Sequence, residues 1–273
     1  MIRRTRSSPL GMRASVYRPR GDARFRRLGV ALTFVLAVGA CARGFQVRDY
    51  PTPVSLYSAG LAQFRLGKWD NAVTAFDQVT ILLPPRDSLL PRAHYYLALT
   101  YEKQKHHLLA AASFKRVVDG FPDDSLADDA LIGMGDAYSA AWRGPSFDKS
   151  DAEQALDAYV LLQRLFPASS LLKRAQAGEA RINEGLAQKD YLNGVFYVKR
   201  NAFDSALLYF KAVVDQHTGT VTAHDALLQM VAINKRLHYV ADAADACRTL
   251  RTTYAPAADI QKACAGIAAD SGR

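Results

Sequence analysis

Residues 56–84 read LYSAGLAQFRLGKWDNAVTAFDQVTILLP, and residues 94–122 read HYYLALTYEKQKHHLLAAASFKRVVDGFP. Laid over one another, Ala72, Phe76 and Pro84 of the first stretch meet Ala110, Phe114 and Pro122 of the second, each pair 38 residues apart. Three matches in one register define a repeat, and a repeat of this length is one supersecondary unit stacked on the next. The pattern runs on. A third copy holds Gly135, Tyr138, Ala155, Tyr159, Leu162 and Pro167. A fourth holds Gly194, Tyr197, Ala206, Phe210 and Val213, with Thr218 where proline is expected. A fifth, degenerate copy carries Ala243, Cys247 and Leu250 and ends at Pro256.

Each recurring position has a physical reason. Small residues at Gly60, Ala98, Gly135 and Gly194 let the first helix of a pair lie close to the second, where Ala72, Ala110, Ala155 and Ala206 do the same. The aromatics at 76, 114, 159 and 210 fill the wedge towards the next pair. Proline then ends the second helix, lacking an N–H and clashing with the preceding turn. Asp123, Asp124 and Ser125, or Ser169 and Ser170, stand ready as N-caps of the helix that follows. The spacing resembles the tetratricopeptide repeat, a helix–turn–helix unit of about 34 residues. The expected fold is all-α, a superhelical solenoid of about five helix pairs over residues 54–256. Residues 257–273 form a capping helix and tail, with Asp259 to Ala269 as the helix that closes the last open core. Gly135 to Ala155 is eight residues longer than Gly60 to Ala72. The surplus falls between Ala141 and Asp151 and is expected as a loop on one face, often a binding face.

The formal net charge of +9 is concentrated at the start. Residues 1–40 hold nine arginines against Asp22 alone, and without them the basic and acidic residues nearly balance. That removes the main support for a nucleic-acid partner. The same forty residues have the order of a secretory signal: a basic start, an apolar run from Leu28 to Ala40 and a small-residue cleavage site. The run is shorter than the roughly 20 residues a spanning helix needs. It ends Val38-Gly39-Ala40-Cys41, which resembles a lipoprotein lipobox, so residues 1–40 read as a lipoprotein-type signal peptide. Cys41 is then the lipidated residue, and 41–53 form a tether with Pro51 and Pro53. Either Met1 or Met12 would serve as the start. Residue 42 is alanine rather than the aspartate that retains lipoproteins at the inner membrane, which favours an outer-membrane location facing the periplasm.

No HExxH, GxSxG, phosphate-cradling GxxxxGK[ST] or GxGxxG pattern is present, so an enzyme is not expected. The adjacent His106 and His107 belong to a turn, and Asp123, Asp124, Asp128 and Asp129 lack the glycine and glutamate of a calcium loop. No metal and no cofactor beyond the covalent lipid on Cys41 is expected. Past Cys41 only Cys247 and Cys264 remain. They fall on consecutive helices in an oxidising compartment and could pair as a disulfide, the alternative being two buried free thiols.

A solenoid's inner face is lined mainly by the first helix of each pair. That places Tyr57, Phe64 and Arg65 of the first repeat and Arg92 and Tyr95 of the second on a peptide-binding groove, since aromatics and arginine are enriched in binding hot spots. Truncating the rings is then expected to weaken binding and leave folding nearly unchanged. The same stripe would equally serve as core spacers.

Lipid anchor, tether and five repeats together resemble the BamD family of outer-membrane β-barrel assembly lipoproteins. Phe196-Tyr197-Val198-Lys199-Arg200, then Ala202-Phe203-Asp204-Ser205-Ala206, is similar to that family's fourth repeat; Asp225-Ala226-Leu227 and Lys235-Arg236-Leu237 match its fifth. Tyr209 stands where the family often has arginine. The resemblance implies a subunit that holds unfolded outer-membrane proteins with its N-terminal repeats. It would scaffold a BamA-type insertase and other assembly-machine subunits with its C-terminal ones, the membrane being reached through the lipid. The alternatives are a CpoB-like envelope adaptor in division or wall synthesis, which usually begins with a coiled coil that is absent here, and a carrier for an envelope polysaccharide or solute.

Overall fold

A computed structural model describes residues 44–267, so the signal segment and Cys41 lie outside the described residues. After a short 3-10 turn at Val47–Asp49 come ten helices of three or more turns: α1 (Pro53–Arg65), α2 (Trp69–Leu82), α3 (Leu90–Lys103), α4 (His107–Gly120), α5 (Ala127–Ala141), α6 (Ser150–Leu165), α7 (Leu172–Val198), α8 (Phe203–Gln216), α9 (Val221–Leu237) and α10 (Val240–Thr253). A short α11 (Ala258–Ala263) follows, and no strand occurs among the described residues. Each helix packs on the next, and the first helices of successive pairs also touch, so α1 to α10 form five stacked hairpins with α11 as the cap.

Phe76, Phe114, Tyr159 and Phe210 are among the largest fully or almost fully buried side chains. Their small partners fit as the register requires. A Cβ added to Gly60 would meet Phe76 Cε1 at 2.8 Å, one on Gly135 would meet Tyr159 at 2.6 Å, and one on Gly194 would meet Phe210 at 2.5 Å. A second layer of contacts joins neighbouring pairs. Gly133 of α5 lies under Phe114 of the pair before it, and Gly178 of α7 lies under Tyr159. Each ring is thus clamped between its own hairpin and the following one, which transmits packing along the stack.

The four tight hairpin turns share one geometry. Lys68, His106, Ala202 and Tyr239 donate their backbone N–H to the carbonyls of Gln63, Tyr101, Tyr197 and Asn234, at 2.8–3.1 Å. This is the six-to-one bond of a Schellman motif, which needs a left-handed residue. Gly67 fills that place in the first repeat at no cost, whereas Lys105, Asn201 and His238 are held at φ of 61°, 57° and 64°. His106 is therefore the N-cap of α4 and His107 its first residue, with Nδ1 3.1 Å from Glu102 Oε1. The residues expected as N-caps act one step earlier. Asp124 accepts from Leu126 N–H and Ser169 from Leu171 N–H, closing turns before helices whose N-caps are Leu126 and Leu171.

The stack departs from a uniform repeat at α7. This helix has 27 residues where α1 has 13. Gly133 and Gly135 perform their two packing roles two positions apart; Gly178 and Gly194 perform the same roles sixteen apart. The fourteen extra residues make close to four helical turns, so the face is preserved while the next hairpin moves roughly 21 Å along the axis. The core divides at the same place: Leu186 belongs to the cluster around Tyr159, and Ala187 to the one around Phe210. The inserted segment of the third repeat, Trp142 to Lys149, is a loop as expected. It folds back on the added turns of α7, with Trp142 over Gly185 and Lys189 Nζ donating to the carbonyl of Phe147 at 2.6 Å.

At the C-terminal end the Sγ atoms of Cys247 and Cys264 are joined, with the Cα atoms 5.8 Å apart. The cap is shorter than expected. It ends at Ala263 and buries Ile260 and Cys264 against Leu227, Val231 and Leu250. Lys235 Nζ donates to the carbonyls of Ala263 and Ala265 at 3.2 and 3.1 Å, which holds the end of the cap from α9.

One half-buried group is expected to give the solenoid a pH dependence. His94 of α3 has a buried Nδ1 without a hydrogen-bond partner. Burial first, and then the nearby Arg116, lower its pKa to about 4 against a weaker opposing pull from Asp77. The folded state therefore resists protonation that the unfolded chain accepts near its ordinary value of roughly 6.5. His94 contributes fully above that value and loses its contribution as pH falls towards 4, by about 1–2 kcal/mol once solvent screening of this partly exposed ring is allowed for. Urea midpoints measured between pH 7 and 4 should show this loss, and His94→Leu should flatten it.

Candidate protein-binding surfaces

The five groove candidates do not form one free surface. Tyr57 lies 5.7 Å from Phe76 and 6.1 Å from Tyr96; Phe64 lies 5.3 Å from Trp69 and 5.8 Å from Tyr96 (ring centroids). Tyr95 meets Phe114 edge-on at 5.6 Å. All three rings are half-buried and pack against the buried core of the first three repeats. The expectation that their truncation spares folding is therefore corrected: the stripe serves as core spacer first, because neighbouring first helices meet ring against ring. Arg65 and Arg92 are exposed. Burial, then Tyr96, push Tyr57 up to about 12, and the positive charge of Arg92 pulls against them.

The inner face continues into repeats that sequence reasoning did not single out. Asp136 of α5 accepts from Tyr159 Oη at 2.8 Å and pairs with Arg174 of α7. Ser169 Oγ donates to Asp128 Oδ2 at 2.8 Å, and Arg181 reaches Ser139 at 3.3 Å. Tyr95 is raised by burial, then by Asp129 and Tyr96, with Arg174 opposing, so α3, α5 and α7 share one electrostatic neighbourhood. Mixed charge beside half-exposed rings suits an extended polypeptide, whose amides and side chains need both donors and acceptors. The signal was faint because Asp136 falls where the other repeats carry Leu61, Leu99 and Val195, so no periodicity marks it.

A second surface lies at the end of α7. Phe196 is 47 % exposed, and the Arg200 guanidinium stands 3.5 Å above its ring. Tyr197 stacks on Tyr209 at 5.2 Å with planes 15° apart, so the tyrosine in place of arginine extends an aromatic ledge. Exposed Leu192 is one turn earlier on the same helix face. Among the described residues no group of three or more metal-ligating side chains converges, and no helix is long and apolar enough to cross a membrane.

A stack of helical hairpins with an open inner face and an aromatic ledge is a tetratricopeptide-type adaptor, a protein that binds others along its surfaces. The profile of the YfiO family, described as outer membrane lipoprotein, matches residues 50–250, and the chain belongs to that family of non-enzymatic adaptors. The outer membrane protein assembly factor BamD of Caulobacter vibrioides is 26 % identical over 181 residues, covering 64 % of this chain. The match spans 57 % of the length of that relative. Among solved structures, the TPR2AB domain of yeast Sti1 in complex with pHSP90 is similar over 72 % of this chain and 76 % of its own, with 12 % identity and a TM-score of 0.37. A thermophilic TPR protein from Thermus thermophilus is similar over 77 % of this chain and 96 % of its own, with 18 % identity and a TM-score of 0.35.

Proposed function

We propose that the chain is a subunit of the outer-membrane β-barrel assembly machinery, anchored by lipid on Cys41 and facing the periplasm. Its first repeats hold unfolded outer-membrane proteins on the inner face, and its C-terminal repeats, with the ledge of Phe196, Arg200 and Tyr209, scaffold the BamA-type insertase and other subunits. The observation that carries the reading is the family match. It covers nearly the whole solenoid and begins nine residues after a cysteine preceded by Val-Gly-Ala. Several acyl chains on one cysteine would hold the protein at the membrane durably, where a single chain binds only marginally.

Purification of the tagged chain from outer membranes in mild detergent tests this in one experiment. The insertase should co-purify, and the N-terminal peptide should begin at Cys41 and carry acyl groups. Arg92→Glu should reduce crosslinking to an unfolded barrel protein without reducing recovery of the insertase. Recovery of wall-synthesis or division proteins without any insertase would overturn the reading.

A further inference from the structure

The repeat register exposes one position where the fifth hairpin lacks what its neighbours have. Three residues after the small position, repeats two to four carry Tyr101, Tyr138 and Tyr197. These rings pack partly buried against the core. Tyr101 of α3 is raised by burial and then by Asp77, which places it beside α2, and its ring lies 6.3 Å from that of His106 at the start of α4. In the fifth repeat the residue whose carbonyl takes the same turn bond as those of Gln63, Tyr101 and Tyr197 is Asn234. Where the ring would stand there is a cleft of about 360 Å³ between α8 and α10, with Leu207, Met230, Asn234 and Ala246 among its walls. Its volume falls in the roughly 300–1,000 Å³ range of ligand pockets.

Asn234 is 1 % exposed, and its Oδ1 has no hydrogen-bond partner. The first repeat shows how such an amide is normally satisfied: Gln63, in the same register, accepts from Asn71 Nδ2 at 2.9 Å. The counterpart of Asn71 in the fifth repeat is Asp242, whose carboxylate has no proton to give. The cleft thus pairs an apolar slot with a buried acceptor in need of a donor. Its rim carries Asp242 and Asp245 beside the Lys211–Asp215 pair; Arg248 stands 2.9 Å from Asp245, and Asp242 leaves an acidic excess that favours cationic neighbours.

We infer that this cleft is a docking site for a tyrosine flanked by basic residues on a partner protein, the ring filling the absent tyrosine's place and its hydroxyl donating to Asn234. The inference does not rest on the assembly reading, because it follows from the register, the cleft with its acidic rim and the unpaired amide.

The probe is a capped nonapeptide with a central tyrosine and lysines on both sides, titrated into the full mature chain in detergent. Polarisation of a labelled peptide gives affinity, and the Asn234 side-chain amide signal in NMR gives location. Saturable binding that shifts this signal is expected. Replacing the peptide tyrosine by phenylalanine should weaken binding about tenfold, because the buried acceptor is left unpaired. Asn234→Leu should abolish that difference, and Asn234→Tyr should block binding by restoring the ring. Should Asn234→Tyr fail to fold, Asp242→Lys with Asp245→Lys is the second variant: it should lose the lysine peptide and gain one with glutamates in the same places. Equal affinity for the tyrosine and phenylalanine peptides, no saturable binding, or binding untouched by both variants would overturn the inference.

Discussion

Tyr159→Ala should lower the folding free energy by about 3–5 kcal/mol, the cost of removing a large aromatic from a packed core. The reason is the clamp. Gly135 of the same hairpin and Gly178 of the next both press on the ring, so its loss empties two interfaces at once. The phenol also donates to Asp136, which links the wedge to the charged inner face through Arg174. Tyr159→Phe keeps the volume and should cost only about 1 kcal/mol, the worth of one hydrogen bond. Chemical denaturation of both variants separates packing from bonding. If the alanine variant unfolds within about 1 kcal/mol of wild type, the ring is not the joint between the third and fourth hairpins.

The second large effect is expected at the other end of the stack. Replacing Cys247 and Cys264 by serine, or reducing the bond, should cost about 3 kcal/mol, as expected for a cross-link closing a loop of this size. The two residues are 17 apart in sequence. The cap they fasten has six helical residues, too few to persist unaided, and it covers Leu227, Val231 and Leu250. Loss of the bond should therefore free the cap and open the apolar end of the solenoid. Alkylation of the unfolded, unreduced chain should label neither cysteine. Labelling of both, with a denaturation midpoint unaffected by reductant, would mean the cap is held by packing and by Lys235 alone.

How far the sequence reaches depends on the range of the contact. The wedge aromatics and small positions recur in one order, each aromatic four residues after its alanine, because each acts within one hairpin or between adjacent ones. Periodicity therefore reports them directly. Phe76, Phe114, Tyr159 and Phe210 were legible for that reason, and so was the count of five pairs. Tyr57, Phe64 and Tyr95 were legible as a stripe, but a stripe at helical spacing does not say which of two neighbours it faces. Only their ring contacts show them to be spacers before they are a groove.

Other features follow from contacts that cross repeats and obey no period. Arg174 meets Asp136, and Glu184 reaches from α7 to the backbone N–H groups of Val221 and Thr222 at the start of α9, at 2.9 and 3.0 Å. The four added turns of α7 keep the small residues on the right face, so the sequence alone reads as an ordinary helix between two repeats. What the amino-acid sequence by itself determined is thus the repeating hairpin, since it is a local pattern of size and polarity. The tertiary structure alone decided where the stack is lengthened, which rings are shared with the core and that Asn234 stands over an unfilled cleft. Each depends on which side chains arrive from distant repeats to fill a space or leave it open.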